Sequence, residues 1–131
     1  MITAVDTSVL IDVFGNDPKH GGASADALRQ CLREGALTAC DIVWAETRAV
    51  FDNEAAFASA MSTLGVLFSP LNAIAAAHAG LAWRAYRQGG GTRVRVVADF
   101  MIGAHAAHQA DRLLTRDRGY YRSYFAGLQL V

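Results

Sequence analysis

The sequence predicts an α/β fold, a mainly parallel central sheet of about five strands with helices on both faces, in one domain spanning residues 1–131. Short, continuously apolar runs alternate along the chain with stretches of helical periodicity. The runs lack the apolar–polar alternation of a sheet with one wet face, so both faces should be covered. A length of 131 residues suits one hydrophobic core, and 53% hydrophobic residues with only two prolines argue against disorder.

The elements follow in order. Ile2, Ala4 and Val5 make a strand that ends on Asp6, and Val9, Leu10 and Val13 then recur at helix spacing over 8–14. GNDPKHGG reads as a loop, and a helix over 21–34 is stopped by Gly35. ALTAC (36–40) is a second strand, with Asp41 placed to cap a helix that runs to Phe51. EAAFASAMSTL is another helix and GVLFSP (65–70) a third strand. Ser69-Pro70 is expected to open a long helix, since proline in a first turn lacks only an N–H that has no helical partner there. The glycines at 89–91 end it. A loop, a helix from Val97, a strand RLLT (112–115), a turn with a short helix in RDRGYYRSYF and a last strand LQLV (128–131) complete the chain. Right-handed crossovers set the strand-to-helix turns along one sheet edge, where such folds bind ligands.

Twelve basic and twelve acidic residues cancel overall, but not locally. From Arg84 onward eight arginines face three acids, whereas the preceding residues carry four basic side chains and nine acidic ones. A basic segment beside acids suits a polyanion, or simply a solvated surface. Cys31 and Cys40 lack metal-type or redox-type spacing and read as reduced thiols. The first residues lack a basic flank and a cleavage-type site, and no stretch approaches membrane-span length. The expectation is a soluble, cytoplasmic protein.

Four acids stand apart from the rest. On a helical wheel over 42–51, Ile42, Val43, Ala49 and Val50 form an apolar stripe with Glu46 at its centre, opposite Trp44, Arg48 and Phe51. A carboxylate on a buried face requires compensation. Asp99 leads the small-residue face that also carries Ile102, Gly103, Ala106 and Ala110, at a helix start where the dipole favours an anion. Asp6 ends the first strand, and Asp117 follows RLLT after Arg116. Each has a bland alternative: Asp6 and Asp117 as caps, Asp99 as a dipole acid, Glu46 as partner of an arginine. Gathered at one edge, four carboxylates repel one another and raise their pKa values unless a cation joins them. Oxygen ligands without His or Cys select Mg²⁺ or Mn²⁺ over zinc, and such an ion can activate water against a phosphodiester. The other eight acids, Asp12 among them, fit loops, caps or exposed faces.

VDTSVLIDVF, WAETRAVF and VADFMIGAHAAHQADRLLTRD resemble the motifs of PIN-domain ribonucleases, and the chain's length points to the VapC-type toxins of toxin–antitoxin pairs. The resemblance implies a three-layer α/β/α PIN-like domain with Mg²⁺- or Mn²⁺-dependent endoribonuclease activity on structured RNA, leaving 3′-hydroxyl and 5′-phosphate ends. It also implies a homodimer and a small VapB-like antitoxin that blocks the cleft. The family's acidic quartet falls on Asp6, Glu46, Asp99 and Asp117. Asp6 and Asp99 would be direct ligands, with Glu46 and Asp117 reaching the metal or its waters. Thr7, Ser8 and Thr115 match the small hydroxyl positions of the pocket, and read equally well as cap and strand-end hydroxyls. Arg116 and Arg118, flanking Asp117, are the best candidates for contacts to RNA phosphates, with pairing to a structural acid as the alternative for either.

Other features point elsewhere. His105 and His108 lie about 120° and 180° round the wheel from Asp99 and so away from the acids. The glycines at 89–91 lack the Lys and Ser/Thr of a phosphate-cradling loop. Tyr120, Tyr121, Tyr124 and Phe125 read as packing rather than as platforms for bases. The rival readings are a non-cleaving PIN-like module that binds RNA or protein, and a phospho-accepting receiver domain. The second is weakened by a lone lysine at position 19.

Overall fold

Four parallel strands, β1 (Ile2–Val5), β2 (Ala36–Ala39), β3 (Val66–Phe68) and β4 (Arg112–Leu114), form one sheet in the order β3-β2-β1-β4. The computed structural model describes residues 1–91 and 96–131, so Arg93 and Arg95 of the basic segment lie outside the described residues. Between the strands run α1 (Thr7–Phe14), α2 (Gly21–Glu34), α3 (Asp41–Arg48), α4 (Glu54–Leu64), α5 (Ala73–Gln88) and α6 (Val97–Gln109), and α7 (Arg118–Tyr124) follows β4.

The central strand shows why the sheet is the middle of three layers. Thr3, Ala4 and Val5 point alternately to opposite faces, and none is more than 2% exposed. Helices therefore cover both faces. α1 packs on α2 and α3, while α5 pairs with α6, which lies against β1 and β4. Gly103 lets α6 approach the C-terminal segment, since a Cβ there would stand 2.3 Å from the Phe125 ring. Phe100 of α6 meets Tyr120 and Tyr124 edge-on at 5.5 Å, and Tyr120 meets Tyr121 at 4.7 Å. The four C-terminal aromatics thus seat α7 by packing, as expected.

Several boundaries differ from the sequence reading. The strand at 128–131 reduces to a single parallel bridge between Leu113 and Leu130, with Leu113 N donating to Gln129 O and Val131 N to Leu113 O, both at 2.9 Å. Gln129 is exposed and Leu130 only half-buried, so little apolar area holds a longer pairing. Cys40, not Asp41, occupies the cap position of α3. Asp41 Oδ1 instead accepts the Leu71 N–H at 3.2 Å and ties down the segment after β3. That segment stays extended, and α5 begins at Ala73 rather than at proline, because the Asn72 side chain accepts the Ala75 N–H at 2.8 Å. A side-chain acceptor satisfies a helix start that proline merely tolerates. Among the described residues no helix is long and apolar enough to cross a membrane.

Candidate active site

Parallel order places the C-terminal ends of β1 and β4 side by side, and Asp6 N donates to Leu114 O at 2.9 Å to close the ladder. Asp6 caps α1 from the tip of β1 and is 9% exposed. Its Oδ1 accepts the Thr7 N–H at 2.8 Å, and its Oδ2 accepts the Thr115 hydroxyl at 2.7 Å and the Tyr121 hydroxyl at 3.3 Å. Burial pushes the Asp6 carboxyl above the usual carboxylate range; these hydrogen bonds pull it back in part, and the charge of Asp99 adds to the rise. Burial, then the charge of Asp6, pushes the Tyr121 hydroxyl well above its ordinary value, so it remains a proton donor.

The other three acids arrive from three further elements. Glu46 is exposed on α3, and its Oε1 accepts the Thr7 hydroxyl at 2.8 Å. The apolar stripe drawn around it does not exist: α3 stops at Arg48, Ala49 is exposed and Val50 is 54% exposed, and the buried residues are Val43 and Thr47. Arg48 donates to Phe51 O and to Glu54, which turns the chain out of the helix. Glu46 therefore stands at the cleft mouth and not on a buried face. Asp99, half-buried, is the third residue of α6, and its Oδ2 accepts the Val96 N–H at 3.2 Å. It thus serves the helix start as well. Asp117 occupies the cap position of α7 without a side-chain cap bond, and its N–H donates to Thr115 Oγ1 at 3.0 Å.

A cleft of about 430 Å³ is lined by Asp6, Thr7, Ser8, Glu46, Asp99, Ile102, Arg116 and Asp117. The four carboxylates singled out in the sequence share this space, with Thr7 and Ser8 beside them and Thr115 behind Asp6. Neither His105 nor His108 lines it: His105 Nε2 lies 3.0 Å from Ser69 Oγ, and His108 Nε2 lies 2.9 Å from His78 Nδ1.

Two residues were missed. Asp12 was placed among the exposed or loop acids, yet its side chain is 4% exposed and it holds Arg116, with Arg116 Nε 2.7 Å from Oδ2 and Nη2 donating to Oδ1 at 3.0 Å. The Ser24 hydroxyl donates to the same carboxylate at 2.7 Å. Asp12 lies three residues from the buried Val9 on one helical face, and that spacing was the available signal. Tyr121, the third donor to Asp6, had no such signal, because only the docking of α7 brings it there. Arg116 thus reaches the cleft already paired to a structural acid, and Arg118 lines the neighbouring cavity instead.

The donor set is carboxylate and hydroxyl oxygen, the chemistry of a hard cation. Among the described residues Asp99 Oδ1 and Glu46 Oε2 accept no hydrogen bond and remain available as ligands. As the side chains stand, no three described His, Cys, Asp or Glu residues are gathered closely enough to form a complete metal-ligating group. The residues fit such an ion in kind, and the acids would have to draw together to enclose it.

The chain is similar in fold to solved structures. These include VapBC2 from Rickettsia felis bound to a DNA fragment from their promoter, at 18% identity and a TM-score of 0.75 over 100% of this chain and 98% of that chain. VapBC-1 from nontypeable Haemophilus influenzae gives 20% and 0.70, over 100% and 97%. FitAcB from Neisseria gonorrhoeae gives 21% and 0.67, over 99% and 96%. No curated protein matches the sequence. The family model of the PIN domain matches residues 3–126, from the strand that delivers Asp6 to the aromatic segment that seats α7, and the chain belongs to that family.

Proposed function

We propose that this protein is a divalent-metal-dependent endoribonuclease and the toxin of a toxin–antitoxin pair. The observation that carries the reading is the convergence of Asp6, Glu46, Asp99 and Asp117, from four elements, on one cleft without a lysine. Asp6 supports it further: a buried carboxyl whose ionisation is opposed by Asp99 is one that a cation relieves.

Asp6 and Asp99 would hold Mg²⁺ or Mn²⁺ directly, and Glu46 and Asp117 would reach the ion or its waters. A bound ion would acidify a water and offset charge on the phosphodiester. The chain's own contribution is orientation. Thr115 and Tyr121 fix Asp6, Thr7 fixes Glu46, and Ser8 adds a hydroxyl to the cleft wall. RNA would leave with 3′-hydroxyl and 5′-phosphate ends. The similar structures named above include VapBC assemblies, and a small VapB-like antitoxin covering the cleft is the partner proposed for this chain. A homodimer acting in the cytoplasm completes the proposal. The exposed Ile74 and Leu81, seven residues apart on one face of α5, suit self-association.

The second reading is a PIN module that binds RNA or protein without cutting, favoured by the absence of a closed metal-ligating group among the described residues. The receiver-domain alternative falls with the family. The test is incubation of total RNA with the protein in Mg²⁺, in EDTA, and with Asp6→Asn or Asp99→Asn. Fragmentation in Mg²⁺ alone, lost in both variants, supports the nuclease. Fragmentation that persists in the variants overturns the residue assignment, and RNA bound but intact in Mg²⁺ selects the second reading.

A further inference from the structure

We propose that the cavity beside the acid cleft is a subsite for the nucleotide next to the scissile phosphate, with Arg116 and Arg118 on its phosphate and its unpaired base on an apolar wall. The inference rests on the polynucleotide-cleaving reading above.

The cavity is about 630 Å³, larger than the acid cleft, and adjoins it. Arg116 lines both spaces, and Thr115, which lines the cavity, donates to Asp6 in the cleft. A strand leaving the acids on this side therefore enters the cavity next. Ala23, Ala27 and Val131 give it an apolar wall backed by the buried Val9 and Leu114, and Arg116, Arg118 and His20 give it polar groups. Apolar walls with a few placed polar groups characterise small-ligand sites.

Charge decides what enters. A phosphate strand is repelled by the four acids, and guanidinium groups immediately beside them supply the opposing field. Arg116 is fixed in advance, because Asp12, itself held by the Ser24 hydroxyl, takes the Nε and Nη2 edge of the guanidinium while the Nη1 N–H groups stay unused by the carboxylate. Arg118 is exposed, and its guanidinium makes no hydrogen bond or ion pair to the described residues. Two guanidinium groups can grip a phosphate in the forked geometry that arginine favours. A base already paired in a duplex could not turn into the cavity, so this subsite selects an unpaired nucleotide.

The test uses a labelled single-stranded RNA oligonucleotide and the Asp99→Asn chain, followed by fluorescence anisotropy in Mg²⁺. Adding Arg118→Ala, or adding Ala23→Phe at an exposed position of the cavity wall, should each weaken binding about five- to twentyfold. Arg118→Ala should also flatten the dependence of log affinity on log salt by about 0.7, one phosphate contact on a single strand. In the cleaving chain, Ala23→Phe should raise KM more than it lowers kcat. If affinity, salt slope and KM are unmoved in both variants while the parent chain still cuts RNA, the subsite is overturned and the nuclease stands. If no chain cuts RNA but both variants weaken its binding, the nuclease reading fails and the cavity is an RNA-binding surface with no scissile phosphate beside it, which overturns the subsite as proposed. A cavity reserved for a partner polypeptide would leave RNA affinity untouched, which also overturns the proposal.

Discussion

The Thr115 hydroxyl donates to Asp6 Oδ2 at 2.7 Å, joining the end of β4 to the end of β1 through side chains just beyond the last ladder bond. Thr115 Oγ1 also accepts the Asp117 N–H at 3.0 Å, so one hydroxyl organises two of the four acids. Thr115→Val keeps the shape but leaves Asp6 Oδ2 with only the longer bond from Tyr121. The expected cost is about 1–3 kcal/mol in metal-free denaturation at neutral pH, the range for a lost bond to a buried charged group. Thr115→Ser should retain most of it. Wild-type stability in the valine variant would mean that the hydroxyl does not support Asp6.

Asp6 should make the metal-free protein less stable as pH rises. Its carboxyl is raised in the fold from 3.8, chiefly by burial, so between the unfolded and folded values the native state binds more protons. Stability then falls with rising pH across that window, and it is fully retained below the unfolded value. Asp6→Asn removes this effect. In EDTA the melting difference between variant and parent should therefore be constant below about pH 3.8, whatever the swap costs in hydrogen bonds. The variant should gain on the parent as pH climbs through the folded value. A melting difference identical at both ends of the range would show that ionisation of Asp6 carries no such penalty.

What was legible in the sequence was what local pattern dictates. The apolar runs that stop at Asp6 and at Thr115 gave the strand ends to within a residue, and helix spacing placed Asp99 in the first turn of α6. Parallel topology then brought those acids to one edge. What failed depended on partners far along the chain. Asp12 is buried because Arg116, 104 residues away, meets its charge. Tyr121 reaches Asp6 across 115 residues, and the Asp41 carboxylate is drawn to Leu71 rather than to its own helix end. Glu46 was placed on the right element for the wrong reason. A wheel over 42–51 needs a helix that continues to Phe51, but α3 ends at Arg48, so the buried stripe does not form.

A divalent ion should raise the melting temperature, because it binds the native cleft and not the unfolded chain. At ten times its Kd, Mg²⁺ or Mn²⁺ adds about 1.4 kcal/mol. Glu46→Gln should shift this response to higher ion concentrations. Since Glu46 is exposed and a carboxamide oxygen can still accept from Thr7, the variant's melting in EDTA should match the parent. Melting that stays flat through millimolar Mg²⁺ and Mn²⁺ would count decisively against a cation in the cleft.

Gly103→Ala should disturb the site without touching it. The added methyl would stand 2.3 Å from the Phe125 ring, in a packed interior where extra volume costs about 1–3 kcal/mol. Because Asp99 lies one turn earlier on the same helix, a displaced α6 should lower RNA cleavage as well. Phe125→Leu in the same chain makes room for the methyl. The double variant should therefore regain part of the stability lost by Gly103→Ala, whereas additive losses would place the cause elsewhere.

The Asp12–Arg116 pair should respond asymmetrically to removal of its two partners. The Asp12 side chain is 4% exposed and that of Arg116 41%, so only the guanidinium can turn to water once its partner is gone. Asp12→Asn should then cost about 1 kcal/mol, with Ser24 still able to bond the carboxamide. Arg116→Met leaves a buried carboxylate without a counter-ion and should cost about 3 kcal/mol, the lower end for breaking a buried pair from one side. The double variant removes the stranded charge and should be more stable than Arg116→Met alone. Urea denaturation of the three variants in EDTA reads all of this directly. Equal losses in the two single variants would mean that burial of Asp12 contributes nothing to the strength of the pair.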